Sequence, residues 1–102
     1  MRIRLSSLAK QQLREGYHFY EQQSAGLGGY FLDSLMADID SLHIHAGVHA
    51  VAFDNYHRLL ARRFPYSIYY RVARPVVSVH AIFDNRRNPE WILKQLAGSR
   101  EP

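Results

Sequence analysis

Two arginine pairs, Arg62-Arg63 and Arg86-Arg87, mark the part of the chain with the most chemical potential. Guanidinium groups stay charged at any physiological pH and present a planar fork of donors that fits phosphate or carboxylate. Between Asn55 and Phe83 there are five arginines (Arg58, Arg62, Arg63, Arg71, Arg74) and no Asp or Glu, so this segment cannot neutralise its own charge. Alternation across it has the period of a sheet, with Tyr66, Ile68, Tyr70 and Val72 on one side and Ser67, Tyr69 and Arg71 on the other. The stretch therefore reads as a basic sheet, fit for a phosphate polymer or for an acidic protein surface.

Other side chains carry weaker signals. His57 and His80 fall on expected strands and are candidates for general acid or base work near neutral pH, against the plainer reading of structural histidines. Tyr66, Tyr69 and Tyr70 offer rings for base stacking, but the alternation assigns Tyr66 and Tyr70 to the core and turns only Tyr69 outward. Trp91 fits a core anchor for a last helix, or a partner contact. His43, His45 and His49 stand at i, i+2 and i+6, a spacing that puts no ligand pair on one helix face, so no metal is expected. Gly28-Gly29 lacks the Gly-Lys-Ser/Thr of a phosphate loop and reads as a helix connection. No nucleophile elbow or paired carboxylates accompany them, and no cofactor is expected.

The elements that must position these groups follow from periodicity. Arg2-Ile3-Arg4-Leu5 alternates as a short strand and ends at Ser6-Ser7, good helix caps. Apolar positions at Leu8/Ala9, Leu13, Tyr17 and Tyr20 predict a helix over residues 7–23, in which Gly16 is a local cost. Leu27, Phe31, Leu35, Ile39 and Leu42 predict a second over residues 27–44, folded back on the first as a hairpin. Strands are expected from Tyr56 to Ala61, Tyr66 to Ala73 and Val76 to Asp84, pairing as an antiparallel meander through turns at Arg62 to Pro65 and at Arg74-Pro75. Asn88 caps and Pro89 opens a short last helix, and Gly98 to Pro102 read as a loose tail. The sum is an α+β domain, β-α-α-β-β-β-α, spanning residues 1–102, with the hairpin on one face of a small, mainly antiparallel twisted sheet. Arg58, Arg62, Arg71, Arg86 and Arg87 are expected to converge on the other, helix-free face.

A chain of 102 residues that is 47% hydrophobic and 22% charged is an ordinary one-core domain. The absence of cysteine fits a reducing cytoplasm, and no window approaches the run of about 18 apolar residues a membrane span needs. A cytoplasmic protein without membrane contact is expected. Net charge is +4, but residues 1–54 hold four Lys/Arg against six Asp/Glu and residues 55–102 hold nine against three. The two halves are of opposite sign.

The run Arg62-Arg63-Phe64-Pro65-Tyr66-Ser67-Ile68-Tyr69-Tyr70-Arg71-Val72, followed by a valine-rich strand and Asp84-Asn85-Arg86-Arg87-Asn88-Pro89, resembles the RelE/ParE superfamily of bacterial type II toxin–antitoxin modules. Tyr17 to Gln22 and the Gly26-Leu27-Gly28…Phe31…Leu35 start of the second helix extend the likeness over nearly the whole chain. The resemblance implies a plasmid-stabilisation type of toxin that inhibits growth and is neutralised by a cognate antitoxin, as a homodimer or a toxin–antitoxin hetero-oligomer. RelE-like members cut messenger RNA on the ribosome. Here Arg87 matches their last-strand arginine, whereas the strand arginine after the turn falls on Ser67 and the C-terminal tyrosine falls near Trp91, whose indole cannot do a phenol's proton chemistry. ParE-like members lack that set and poison DNA gyrase, and the pattern is more similar to theirs. The expectation is a gyrase-binding toxin contacting its target through Arg62, Arg63, Arg71, Arg86, Arg87 and Trp91, without catalytic residues of its own. The alternative is a ribosome-dependent endoribonuclease using Arg58, Arg62, Arg87, His57 and His80.

Overall fold

The structure is a computed structural model that describes residues 1–98; of the expected tail from Gly98 to Pro102, Gly98 instead ends the last helix and the rest lies outside the described residues. Its first strand, β1 (Arg2–Leu5), leads into α1 (Ser7–Gln23). Ser6 is the cap, its hydroxyl accepting from the Ala9 amide at 3.0 Å and donating to the His80 carbonyl at 2.6 Å, so the start of α1 is fastened to the sheet. The return helix is α2 (Leu27–Asp40). Gly26 before it adopts φ 89°, a left-handed turn residue, and the Glu21 carboxylate accepts from the Gly26 and Gly28 amides at 2.9–3.1 Å. A side chain of α1 thereby caps α2, with negative charge placed at the positive end of the helix dipole.

Two glycines let the helices approach. A Cβ at Gly16 would lie 2.4 Å from the Phe31 ring, and one at Gly28 would lie 2.5 Å from the Tyr17 carbonyl. Gly16, which on propensity alone is a cost, makes the space that Phe31 fills.

The expected helix 27–44 is instead two. The Ser41 hydroxyl donates to the Asp38 carbonyl at 2.6 Å, a side-chain alternative to the helical ladder, and a separate turn of helix follows as α3 (Leu42–His45). An edge strand that periodicity did not reveal, β2 (Val51–Phe53), precedes β3 (Tyr56–Leu60), β4 (Tyr66–Ala73) and β5 (Val76–Asp84), and α4 (Pro89–Gly98) closes the described chain. Asn88 caps α4 as expected, accepting from the Glu90 amide at 2.8 Å.

Strand order is β1-β5-β4-β3-β2, with β1 parallel to β5 and every other pair antiparallel. Tyr66, Ile68, Tyr70, Val77, Val79 and Ile82 join Leu13, Tyr20, Phe31, Leu35 and Ile39 in the main core beneath the hairpin. The opposite face is not helix-free. Ile92 and Leu96 of α4 pack on Tyr69, Ala81 and Phe83 in a second buried cluster. Pairing of Tyr69 with Ala81 and of the next residue, Tyr70, with Val79 leaves His80 as an extra residue, a bulge in β5.

Candidate target-binding surface

Alternation along β3 and β4 sends Arg58, Ser67 and Tyr69 to the α4 side of the sheet, and α4 leaves the β3 edge of that side open. There a cleft of about 210 Å³ is bordered by Arg58, Asn85, Arg87 and Leu93, with Tyr69 and Ile92 beneath. Arg58 Nε donates to Ser67 Oγ at 2.9 Å and its Nη2 reaches Asn85 Oδ1 at 3.4 Å, while the Ser67 hydroxyl donates to the same Asn85 oxygen. All its partners are neutral. Arg87 lies over the Trp91 ring, 4.5 Å from the centroid, and makes no ion pair among the described residues. Two cations without an ion pair thus flank one hollow, each oriented by neutral groups, with the Asp84 carboxylate acting on Arg87 only at longer range.

Arg87 also borders a second hollow of about 310 Å³ between α1 and α4, lined in part by Glu15, Phe19, Phe83 and Trp91. Trp91 is 36% exposed, its ring edge-on to Phe83 at 5.6 Å. Arg87 and Trp91 together make a cationic, aromatic ridge between two clefts, the composition that dominates binding energy at protein interfaces.

The remaining arginines divide. Asn85 donates its amide to the Pro65 carbonyl at 2.7 Å, which brings the β3–β4 turn and the end of β5 together, so Arg62, Arg63, Arg86 and Arg87 share one end of the sheet. The Arg62 amide is held by the buried Asp38 carboxylate at 3.1 Å. Arg86 is not free: it forks onto Asp84, with Nη2–Oδ2 at 2.6 Å and Nε–Oδ1 at 2.9 Å. That hydrogen bond, ahead of the backbone and charge contributions and against the effect of burial, holds the Asp84 carboxyl below the usual carboxylate range. Arg71 is paired with Ser78 and lies over the Tyr56 ring at 5.1 Å, away from the cleft. The expected convergence of Arg58, Arg62, Arg71, Arg86 and Arg87 on a bare face therefore narrows to Arg58 and Arg87 beside α4, because α4 occupies that face and Asp84 takes Arg86.

The histidines do not join them. His57 lies on the hairpin side, stacked on Tyr70 at 5.0 Å with Nδ1 2.7 Å from the His49 carbonyl. His80 is 3% exposed at the bulge, its ring 4.7 Å from Tyr56. Neither lines the Arg58–Arg87 cleft. Tyr66 and Tyr70 are core, as the alternation requires, and burial pushes the Tyr66 phenol up to about 12. Tyr69 does turn to the other face but is covered there, at 5% exposure. Asn85 and Ser67, which orient Arg58, went unnoticed as site residues because neutral side chains carry no charge signal. Among the described residues no group of three His, Cys, Asp or Glu gathers to hold a metal, and no helix is long and apolar enough to cross a membrane.

Neither family models nor curated protein sequences give a match to the chain. Among solved structures it is similar to a chain of the chromosomal ParDE TA system from P. aeruginosa, with a TM-score of 0.72 and 18% identity. The likeness covers 82% of this chain and 95% of that one. At that identity it is the fold that the two chains share.

Proposed function

We propose that the chain is a ParE-like toxin of a type II toxin–antitoxin module, which stops growth by binding DNA gyrase in the cytoplasm and is neutralised by a cognate antitoxin. The observation that carries this reading is the fold held in common with a chain of a ParDE TA system over 95% of that chain's length. The site supports a binding role over a bond-breaking one. A nuclease of the RelE kind needs cations on the phosphate and a proton donor or acceptor within hydrogen-bond reach of the ribose oxygens. Of the groups at the Arg58–Arg87 cleft, Ser67 and Asn85 are already hydrogen-bonded to each other and to Arg58, and Tyr69 lies beneath at 5% exposure; in the second hollow beside Arg87, Asp84 is held by Arg86. His57 lies on the other side of the sheet, and Trp91 has only an indole N–H to offer. The Arg87–Trp91 ridge suits recognition of an acidic protein surface.

Induced expression in bacteria tests the reading. Growth should stop, with filamentation and DNA-damage signalling while protein synthesis continues, and co-expression of the neighbouring antitoxin should relieve it. Transcripts cut during translation would select the endoribonuclease instead.

A further inference from the structure

The outer face of the helical hairpin, turned away from the sheet, has a shape and a charge pattern that the target-binding surface does not use. Lys10, Leu13, Arg14 and Tyr17 of α1 stand at i, i+3, i+4 and i+7 and, with His18 and Leu32, surround an apolar hollow of about 390 Å³ whose floor is the core residue Leu13. Four residues so spaced are the hole of a knobs-into-holes contact. On α2, Met36 projects from the same outer face, 39% exposed, between the exposed carboxylates Asp33 and Asp40. Among the described residues Lys10, Arg14 and Asp33 make no ion pair, and Asp40 has only His43 at 3.6 Å. One helix is thus a cationic row with a hole, the other an anionic row with a knob.

The geometry points to a second copy of this chain as the occupant, packed face to face about a two-fold axis parallel to the helices. Such an axis sets α1 of one copy against α2 of the other and keeps every residue at its own height along the axis. Heights are fixed by the packing within one chain, where Gly16 is level with Phe31. Counting antiparallel from there, Arg14 is level with Asp33, and Met36 is level with the Lys10–Arg14 turn. In the pair, each Met36 seats in the partner's hole, each Asp33 meets an Arg14, and each Asp40 lies within a turn of a Lys10. An acidic helix from another protein would satisfy Lys10 and Arg14 but leave the carboxylates of α2 facing it with their own sign. Only a surface carrying both rows answers both, and this chain has one.

Sedimentation of the full chain across a concentration series tests the pairing. A monomer–dimer equilibrium with a dissociation constant on the order of micromolar is expected for a small interface of this kind. Arg14→Asp alone and Asp33→Arg alone should each weaken it about tenfold or more, since each places two like-charged pairs across the axis. The double variant Arg14→Asp/Asp33→Arg should restore it, because the swap rebuilds both pairs. Unchanged melting of the single variants separates lost pairing from lost folding. A chain that stays monomeric at concentrations approaching millimolar overturns the proposal. So does a dimer indifferent to Arg14→Asp, or a double variant no better than the singles.

Discussion

Arg86 and Arg87 are adjacent in sequence and identical in type, yet their surroundings give them different work. The Arg86 fork onto Asp84 is an exposed pair worth less than about 1 kcal/mol, so its service is to fix the turn after β5 rather than to add stability. Arg87 keeps its charge for a partner while the Trp91 ring fixes where that charge sits. Arg87→Glu should therefore abolish growth inhibition with little change in melting temperature, and Arg58→Glu should do so in part. Arg86→Gln should leave most of the toxicity. Colony counts after induction, read beside thermal melts of the purified variants, measure the contrast. A sequence tally could not have separated the two arginines: the acid-free window ends at Phe83, and Asp84, one residue later, is what distinguishes them.

At the scale of elements, the hairpin depends on Glu21 reaching from α1 to cap α2. The Gly26 and Gly28 amides hold that carboxyl below its ordinary value. A depressed carboxyl contributes stability that is present above its unfolded value, about 4.3, and is lost as pH falls through the folded one. Glu21→Gln should lower the melting temperature at pH 7 and change it far less at pH 3, which calorimetry at the two values checks. Helix α4 has ten residues, too few to be stable alone in water, so its place on the sheet rests on Ile92 and Leu96. Leu96→Ala should cost about 2–5 kcal/mol, or free α4 to exchange its amides ahead of the sheet, as hydrogen exchange would record. The hairpin, meander and caps were legible because each follows from a local period or a capping residue. The docking of α4 was not, since burial of Tyr69, Ala81 and Phe83 on a second side is a tertiary fact, visible in sequence only as an apolar pair, Ile92 and Leu96, with no stated partner. Strand β2 escaped for a different reason: three residues are too short to display a period.

For the molecule as a whole, the opposite signs of its two halves become a spatial arrangement. The hairpin carries the carboxylates Asp33, Asp38 and Asp40, while the β3–β4 turn and the turn between β5 and α4 carry the exposed arginines Arg62, Arg63, Arg86 and Arg87 at one end of the sheet. A target of negative potential should approach that end, and its association should slow as salt is added. The sequence made the basic character plain and overstated its reach, because three devices of the fold divide the arginines: α4 covers part of the face, Asp84 binds one guanidinium, and Arg71 lies toward Tyr56 and away from the cleft. What is left for a partner is the pair Arg58 and Arg87 at the cleft, with Trp91 beside the latter, and the exposed Arg62 and Arg63 of the β3–β4 turn at the same end.

The most direct test is DNA supercoiling by purified gyrase, measured with increasing amounts of this chain and of its Arg87→Glu variant. Inhibition by the unaltered chain, lost in the variant and reversed by the antitoxin, is the predicted result. Supercoiling that proceeds undisturbed, while the same protein cuts messenger RNA on translating ribosomes, would contradict the account.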